Sequence, residues 1–150
     1  MFVHPKCPCS QASLAELAEI LAEVPGIADA LVVFVKPDGA EGDWDQTPLR
    51  ASAKQLRGVC VLSDDLGVRA KQFGAKTSGH VVLYDAQGTL LFSGGITRSR
   101  GHAGESPGRR SLLAALRHQP VEQPTTSVFG CPLFAPAVCC RLVADSRPER

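Results

Sequence analysis

The order of hydrophobic patterns along this 150-residue chain predicts an α/β fold built on a central, mainly parallel sheet. Two continuous β-branched runs, ALVVFV from residue 30 and GVCVL from residue 58, are typical of strands covered on both faces. Helical patterns lie between such runs, and strands that alternate with helices pair in parallel. From residue 120 onward five prolines and no periodicity indicate an irregular tail. We therefore expect one domain over 1–120 and a proline- and cysteine-containing tail over 121–150.

The clearest helix is predicted over residues 10–26. Apolar side chains recur there at spacings of three and four, which is the mark of one buried helix face: Leu14, Leu17, Ile20, Leu21 and Val24. Ser10 or Ser13 can cap the helix, and Glu16 stands three residues after Ser13, as in a capping box. Pro25 and the glycine after it end the helix.

The other predicted elements follow in chain order and complete the α/β pattern. They are a strand at 30–39, a loop over 37–55 with a short helix near 48–55, a strand at 57–65, a short helix at 65–74, two strands at 80–95 and a last helix at 106–119. The two strands at 80–95 turn around Asp85–Gly88, which predicts a hairpin and an antiparallel edge to the sheet. Ser106 followed by Pro107 is a typical start for the last helix.

Composition and charge exclude several classes of function. A net charge of +1 argues against a nucleic-acid-binding protein, because such proteins need a strong basic excess. One Trp and one Tyr offer no aromatic platform for stacked bases. No stretch of about 18 apolar residues predicts a transmembrane helix. The start of the chain lacks the pattern of a signal peptide, so we expect a cytoplasmic protein, or a periplasmic or membrane-anchored one if an upstream segment precedes it.

Six cysteines stand at uneven spacings, at positions 7, 9, 60, 131, 139 and 140. A chain of this length can bury a core without disulfide staples, so clustered cysteines in a reducing compartment indicate metal or redox chemistry. Cys60 lies in the middle of a predicted strand and is expected to be an inert core residue. Cys139 and Cys140 are adjacent, so they are expected to be exposed thiols or weak ligands of a soft metal.

The motif HPKCPCS, residues 4–10, resembles the active-site motif of the thioredoxin superfamily. In thioredoxins a strand aromatic lies five residues before the first active-site cysteine, as Phe2 does before Cys7 here. This register puts Cys7 at the position of the family's nucleophile and Cys9 at the third place of the motif. Ser10 stands where the second cysteine usually is. With SGGITRSRGH and VFGCPLF, the motif resembles that of RedB, a group of bacterial thioredoxin-like proteins, over residues 1 to about 134.

The resemblance implies a three-layer thioredoxin-like fold with a central mixed sheet and thiol chemistry at Cys7. Thioredoxins have a cis-proline in the loop that faces the cysteines, and this chain has Gly79 at that place. In the superfamily the cis-proline keeps metals away from the cysteines. The glycine therefore departs from a standard dithiol oxidoreductase and leaves room for a metal.

A cysteine at a helix N-terminus is chemically suited to act as a nucleophile. The unpaired N–H groups and the helix dipole stabilise a thiolate, and Lys6 adds positive charge beside Cys7. Pro8 stiffens the turn and holds the sulfurs of Cys7 and Cys9 near each other. A disulfide across one intervening residue is a tight ring, so strain favours the reduced form.

A soft-metal site is the alternative use of the same cysteines. Two thiolates, Cys7 and Cys9, suit copper(I) or zinc, and His80 follows Gly79 in the loop predicted to face them. His4, His102 and Cys131 are further candidate ligands. His80 is equally well explained as a polar residue at the start of a strand.

Three functions follow from these observations. The first is a thiol–disulfide oxidoreductase in which Cys7 attacks a protein or small-molecule disulfide and Cys9 resolves the mixed disulfide. Cys131, flanked by Phe129 and Phe134, is a candidate resolving thiol if the apolar tail segment lies over the core. The second function is copper or zinc binding or delivery on the same scaffold, and the third is a non-catalytic binding module.

Overall fold

The computed structural model describes residues 1–134. Cys139 and Cys140, predicted to be exposed thiols or weak metal ligands, lie outside these described residues. The elements are β1 (Phe2–Val3), α1 (Ser10–Glu23), β2 (Ala30–Lys36), α2 (Pro48–Lys54), β3 (Val59–Asp65), α3 (Val68–Gln72), β4 (Val81–Tyr84), β5 (Leu90–Gly94) and α4 (Pro107–Leu116). Their order and type are those predicted from the sequence. No helix in this part of the chain is long and apolar enough to cross a membrane.

The strands form a parallel sheet and an antiparallel hairpin, as expected for an α/β fold. The parallel sheet has the order β1–β2–β3, and β4 pairs with β5 in the antiparallel hairpin. An antiparallel bridge between Phe2 and His80 joins the two, because the N–H of Phe2 donates to the carbonyl of His80 at 2.8 Å. The bridge places the start of β4 beside β1, and so beside the motif loop that follows β1.

Alternating residues of β2 serve two apolar cores, one on each face of the sheet. Val32 and Phe34 face a larger core that α1, α2 and α4 cover. Val33 and Val35 face a smaller core, which includes Ala70 of α3 and the two adjacent side chains Leu133 and Phe134. All four β2 residues are buried, so the prediction of a strand covered on both faces is confirmed for β2.

The prediction of a second buried strand is wrong for β3. Within residues 1–134 this strand is an edge strand that pairs only with β2, and most of its side chains are half-buried or exposed. Cys60 is exposed and is therefore not a core residue. An apolar β-branched run does not distinguish an edge strand from a central one, because the difference depends on which strands pair beside it.

The capping box predicted at the start of α1 does not form. The helix begins one residue after its N-cap, Cys9, and no side chain caps it. Ser13 and Glu16 lie inside the helix and are buried. The Glu16 carboxylate instead pairs with the Arg109 guanidinium of α4 at 2.7 Å and accepts the N–H of Gly104. Burial of this charge is compensated by the ion pair that joins the two helices.

The described part of the predicted tail returns to the sheet. Residues 124–134, which we call the C-terminal strap, have no helix or strand, and only single bridges at Thr125 and Pro132. The N–H of Ser93 donates to the carbonyl of Pro124 at 2.9 Å, and the N–H of Leu133 donates to the carbonyl of Lys76 at 2.9 Å. Leu133 is fully buried. The strap is therefore fastened to the hairpin at one end and to the smaller core at the other.

Candidate functional site

Cys7 lies in the turn that connects β1 to α1. The N–H of Cys7 donates to the carbonyl of His4 at 3.1 Å, and the N–H of Ser10 donates to the carbonyl of Cys7 at 3.1 Å. These two bonds wind the chain into the first turn of α1, with Pro8 and Cys9 between them. Cys7 therefore lies just before the N-terminus of α1, as predicted, and its carbonyl accepts the first N–H of the helix.

The thiol of Cys7 is buried, yet its surroundings favour the thiolate. The residue is 3% exposed. Burial alone raises the pKa of the Cys7 thiol, because it penalises the charged form. Hydrogen bonds from the side chains of Ser10 and Cys131 and from the backbone of Cys131 and Cys9 outweigh burial, so the pKa lies below the ordinary value of a cysteine. The site therefore stabilises the thiolate form of a sulfur that is shielded from solvent.

Cys131 is brought to Cys7 by the C-terminal strap. The N–H of Cys131 donates to the Sγ of Cys7 at 3.4 Å, across a separation of 124 residues. The carbonyl of Cys131 accepts the N–H of Ser78 at 2.8 Å, which fixes the peptide of Cys131 against the loop before β4. Within residues 1–134, no disulfide joins Cys7, Cys9 and Cys131 to one another. Of the two candidate resolving thiols, Cys131 approaches Cys7 with its side chain, whereas Cys9 contributes its main-chain N–H.

The strap approaches so closely because glycines line its path. A Cβ added to Gly130 would lie 2.0 Å from the carbonyl oxygen of Ser78, and one added to Gly95 would lie 2.5 Å from the carbonyl oxygen of Ser127. Both neighbours are backbone atoms, which cannot rotate away as a side chain can. This close packing therefore requires glycine at positions 95 and 130.

A pair of buried serines lies behind Cys7. The Oγ atoms of Ser10 and Ser78 are 2.6 Å apart, and the N–H of His4 donates to the Oγ of Ser78 at 2.7 Å. Both serines are about 1% exposed. Ser10 occupies the place at which the resemblance predicted a second cysteine, and there it supplies a hydroxyl to Cys7.

The loop before α2 covers the other side of the motif turn. The Trp44 ring makes an edge contact with the His4 ring at 5.3 Å, and the Lys6 ammonium lies 4.3 Å from the centre of the Trp44 ring. The Nδ1 of His4 accepts the N–H of Lys6 at 3.1 Å. Lys6 is thus held at the site by a cation–π contact, and His4 serves the turn as a structural residue.

His80 lies at the start of the hairpin, and its ring is directed at β5. Its Nε2 lies 2.8 Å from the Oγ of Ser93. Burial lowers the pKa of His80, and the positive charge of the Met1 amine lowers it further. His102, another candidate ligand, is exposed and donates to the carbonyl of Arg100 at 2.6 Å. Among residues 1–134 no group of three His, Cys, Asp or Glu side chains is arranged to hold a metal ion.

Gly79 adopts a conformation that a proline cannot. Its φ is +94°, and the described residues contain no cis peptide bond. A Cβ at this position would lie 2.8 Å from the Oγ of Ser13 on α1. The glycine therefore lets the loop before β4 pass close to α1, the helix that follows Cys7. This is the position at which thioredoxins have the cis-proline.

Two residues of the site were missed from the sequence. Trp44 carried no recognisable signal, because it reaches the motif only through the fold. Ser78 carried a partial signal: a small polar residue beside a glycine, before an apolar strand, indicates a close approach of two backbone segments.

Comparison with known proteins identifies the fold and no function. No family model and no curated protein matches the chain. Two solved structures are similar to it: a hypothetical protein from Sinorhizobium meliloti, at 24% identity and a TM-score of 0.66, and an uncharacterized conserved protein from Geobacillus kaustophilus, at 21% identity and a TM-score of 0.67. Each alignment covers 91% of this chain, and 78% and 76% of the respective relative. The chain therefore shares its α/β architecture with these two proteins.

Proposed function

We propose that the protein is a thioredoxin-like thiol–disulfide oxidoreductase in which Cys7 is the nucleophile and Cys131 resolves the mixed disulfide. The observation that carries the proposal is the 3.4 Å hydrogen bond from the N–H of Cys131 to the Sγ of Cys7. It brings Cys131, from the far end of the described chain, into contact with the sulfur of Cys7. The lowered pKa of Cys7 supports the choice of this residue as the attacking thiolate.

The arrangement of the strands supports the thioredoxin-like part of the proposal. A nucleophile in the turn between the first strand and the first helix, a parallel sheet beside it and a hairpin joined through the Phe2–His80 bridge follow the order that the resemblance implies. Helices α1 and α4 lie on one face of the sheet and α3 on the other.

The reaction transfers two electrons from the cysteine pair to a disulfide. The Cys7 thiolate attacks one sulfur of the substrate disulfide, forms a mixed disulfide and releases the other sulfur as a thiolate that takes up a proton. The Cys131 thiol then loses its proton and attacks the Cys7 sulfur. This step forms the Cys7–Cys131 disulfide and releases the second substrate thiol. An external dithiol returns the pair to the reduced state by the same exchange.

Cys9 was the first candidate for the resolving step, and geometry favours Cys131 over it. A disulfide between Cys7 and Cys9 would close a ring across Pro8 alone, which strains the bond. Cys131 comes from another part of the chain and closes no such small ring. Cys9 instead is the N-cap residue of α1, and its main-chain N–H stabilises the Cys7 thiolate.

Because Cys7 is buried, a substrate disulfide can reach its sulfur only after part of the protein moves. At 3% exposure the sulfur cannot be reached by a disulfide on another protein while the strap is seated. Movement of residues 124–134 away from the loop before β4 would expose Cys7 and carry Cys131 away with it. Return of the strap would then bring Cys131 to the mixed disulfide. Attack by Cys7 would thus require the displaced strap, and resolution by Cys131 the seated strap.

The test is to equilibrate the protein in a glutathione redox buffer, quench it with acid and map its disulfides by mass spectrometry. We expect a Cys7–Cys131 link that disappears on reduction. Cys9→Ser should retain it, whereas Cys131→Ser should lose it and accumulate glutathione on Cys7. Two results would contradict the proposal: a Cys7–Cys9 disulfide in the wild type, or a Cys7 that forms no disulfide at any ratio of reduced to oxidised glutathione.

The same samples test the soft-metal alternative. Metal analysis of the protein as isolated, followed by anaerobic titration with copper(I) and zinc, measures binding directly. Stoichiometric metal that is lost in Cys7→Ser, together with no disulfide formation in the wild type, would favour a metal-binding or metal-delivery protein. Neither disulfide nor metal would leave the non-catalytic binding module.

A further inference from the structure

One buried side chain, Ser78, contacts three different parts of the site. Its Oγ accepts the N–H of His4 at 2.7 Å and lies 2.6 Å from the Oγ of Ser10. Its main-chain N–H donates to the carbonyl of Cys131 at 2.8 Å. Ser78 is 1% exposed, so no water competes for these contacts. A single residue therefore touches the motif turn, the first helix and the strap.

The proton count of the two hydroxyls gives the chain of hydrogen bonds a direction. A serine hydroxyl has one proton to donate and two lone pairs that accept. The N–H of His4 occupies one lone pair of Ser78, which leaves Ser78 its own proton for Ser10. The Ser10 hydroxyl donates its single proton to the Cys7 sulfur, so in its contact with Ser78 it can only accept, and Ser78 is the donor. The result is a relay from the His4 N–H through Ser78 and Ser10 to Cys7.

Such a relay favours a charged sulfur over a neutral one. A thiolate is a strong acceptor, whereas the sulfur of a thiol or a disulfide accepts weakly. Hydrogen bonds in a chain polarise one another, so the donor strength of Ser10 depends on the bond that it receives. Preferential stabilisation of the thiolate also makes a disulfide at Cys7 easier to reduce.

We propose that Ser78 is the positioning residue of the redox site: its hydroxyl fixes the direction of the Ser10 O–H bond toward Cys7, and its main-chain N–H holds Cys131 beside the same sulfur. The inference rests on the proposed function, because a stabilised thiolate matters only if Cys7 is a nucleophile. What it concerns directly is the pKa of the Cys7 thiol and not the formation of a disulfide. Ser78 does not touch the substrate or the Cys7 sulfur in this arrangement and acts through Ser10 and Cys131.

A double-mutant cycle on the Cys7 thiolate tests the relay. The thiolate fraction is measured against pH from the ultraviolet absorbance of the reduced protein, after subtraction of the same variant with Cys7→Ser, so no reagent has to reach the buried sulfur. Ser10→Ala and Ser78→Ala should each move the midpoint of the Cys7 titration upward by about one pH unit, the value of one charge-assisted hydrogen bond. The double variant should shift the midpoint no further than Ser10→Ala alone, because the Ser78 hydroxyl acts only through Ser10 and the alanine variant keeps the main-chain N–H that bonds to Cys131.

Ser13→Ala is the matched control, since it removes a buried hydroxyl from the same helix. It should leave the thiolate fraction of Cys7 unchanged. Equal titration curves for Ser78→Ala and the wild type would overturn the proposal, and so would effects of the two serine variants that add in full. If Ser78→Ala does not fold, Ser10→Ala decides: a lowered thiolate fraction supports the relay, and an unchanged one overturns it. Disulfide mapping is a separate measurement, so the relay and the proposed function can fail independently.

Discussion

Two opposing effects act on the pKa of the Cys7 thiol. Removal from water disfavours a charged sulfur, and a buried thiol without donors would be inert. The turn between β1 and α1 reverses this outcome, because it aims the hydroxyl of Ser10 and the main-chain N–H of Cys9 at the sulfur, and the strap adds the N–H of Cys131. The donors come from residues 9, 10 and 131, so only the folded chain assembles them. The lowered pKa of the Cys7 thiol is therefore a property of the folded chain and is lost on unfolding.

At the same scale, His80 makes the stability of the fold depend on pH. Burial and the Met1 amine lower the pKa of His80 below its ordinary 6.5, so the unfolded chain binds a proton before the folded one does. The contribution of His80 to the free energy of unfolding should therefore fall as the pH drops below about 6.5, by less than about 1.4 kcal/mol per pH unit, because the ring is only half-buried. Urea unfolding at a series of pH values measures this dependence.

Two substitutions separate this effect from other titrating groups. His80→Gln keeps a hydrogen-bonding side chain for Ser93 and should reduce the fall. His102→Gln, in an exposed loop, should show the same fall as the wild type. If the wild type and His80→Gln lose stability in parallel, His80 is not the group responsible.

Among the elements, those defined by local signals were predicted and those defined by neighbours were not. Ser106 and Pro107 start α4 as expected, and the Ser106 Oγ accepts the N–H of Arg109 at 3.0 Å. The start of α1 was misread, because Glu16 is used for an ion pair with a residue 93 positions away. The edge position of β3 likewise depends on strand order, which no local pattern contains.

The candidate site divides in the same way. The register of the motif placed Cys7 at the start of α1, and the apolar flanks of Cys131 indicated a segment that returns to the core; both placements agree with the structure. Ser78 could not be found, because its role comes from contacts with residues 68 and 74 positions away. His80 was expected to face the cysteines, and its ring instead bonds to Ser93 across the hairpin. Side-chain direction at a strand start is set by the pairing partner, which the sequence does not contain.

The strap is the element whose seating controls access to Cys7. Gly130→Ala places a Cβ against the backbone carbonyl of Ser78, which cannot move aside without loss of its bond to Cys131. Overpacking of this kind costs about 1 to 3 kcal/mol, so the population of the displaced strap should rise roughly five- to hundredfold. The rate at which a bulky maleimide modifies Cys7, followed by peptide mass spectrometry, should rise by the same factor.

Ser127→Ala provides the comparison for the strap variant. It also changes one small residue of the strap, but this side chain is exposed and has no packing to lose. Its Cys7 should react at the wild-type rate. A folded Gly130→Ala protein whose Cys7 reacts no faster than that of Ser127→Ala would show that the strap does not limit access.

On the scale of the whole molecule, the proposed disulfide would link the two ends of the described chain. Cys7 belongs to the turn before α1 and Cys131 to the strap that closes over the smaller core, 124 residues later. Everything in both cores lies within this loop, except the short segment before Cys7 and the residues after Cys131. Oxidation would therefore restrict the unfolded chain almost as much as a single cross-link can, while the folded chain already holds the two residues together.

This geometry predicts that oxidation stabilises the protein against unfolding. Closure of a loop of this length is worth roughly 5 kcal/mol in the chain-entropy model, and native disulfides typically contribute about 2 to 5 kcal/mol. Urea unfolding of the wild type should therefore give a free energy of unfolding that is higher by an amount in that range for the oxidised form. In Cys131→Ser the oxidised and reduced samples should unfold together, and Cys9→Ser should behave as the wild type does. An oxidised wild type that is no more stable than its reduced form would mean that the bond strains the native structure as much as it restricts the unfolded chain, or that it joins other residues.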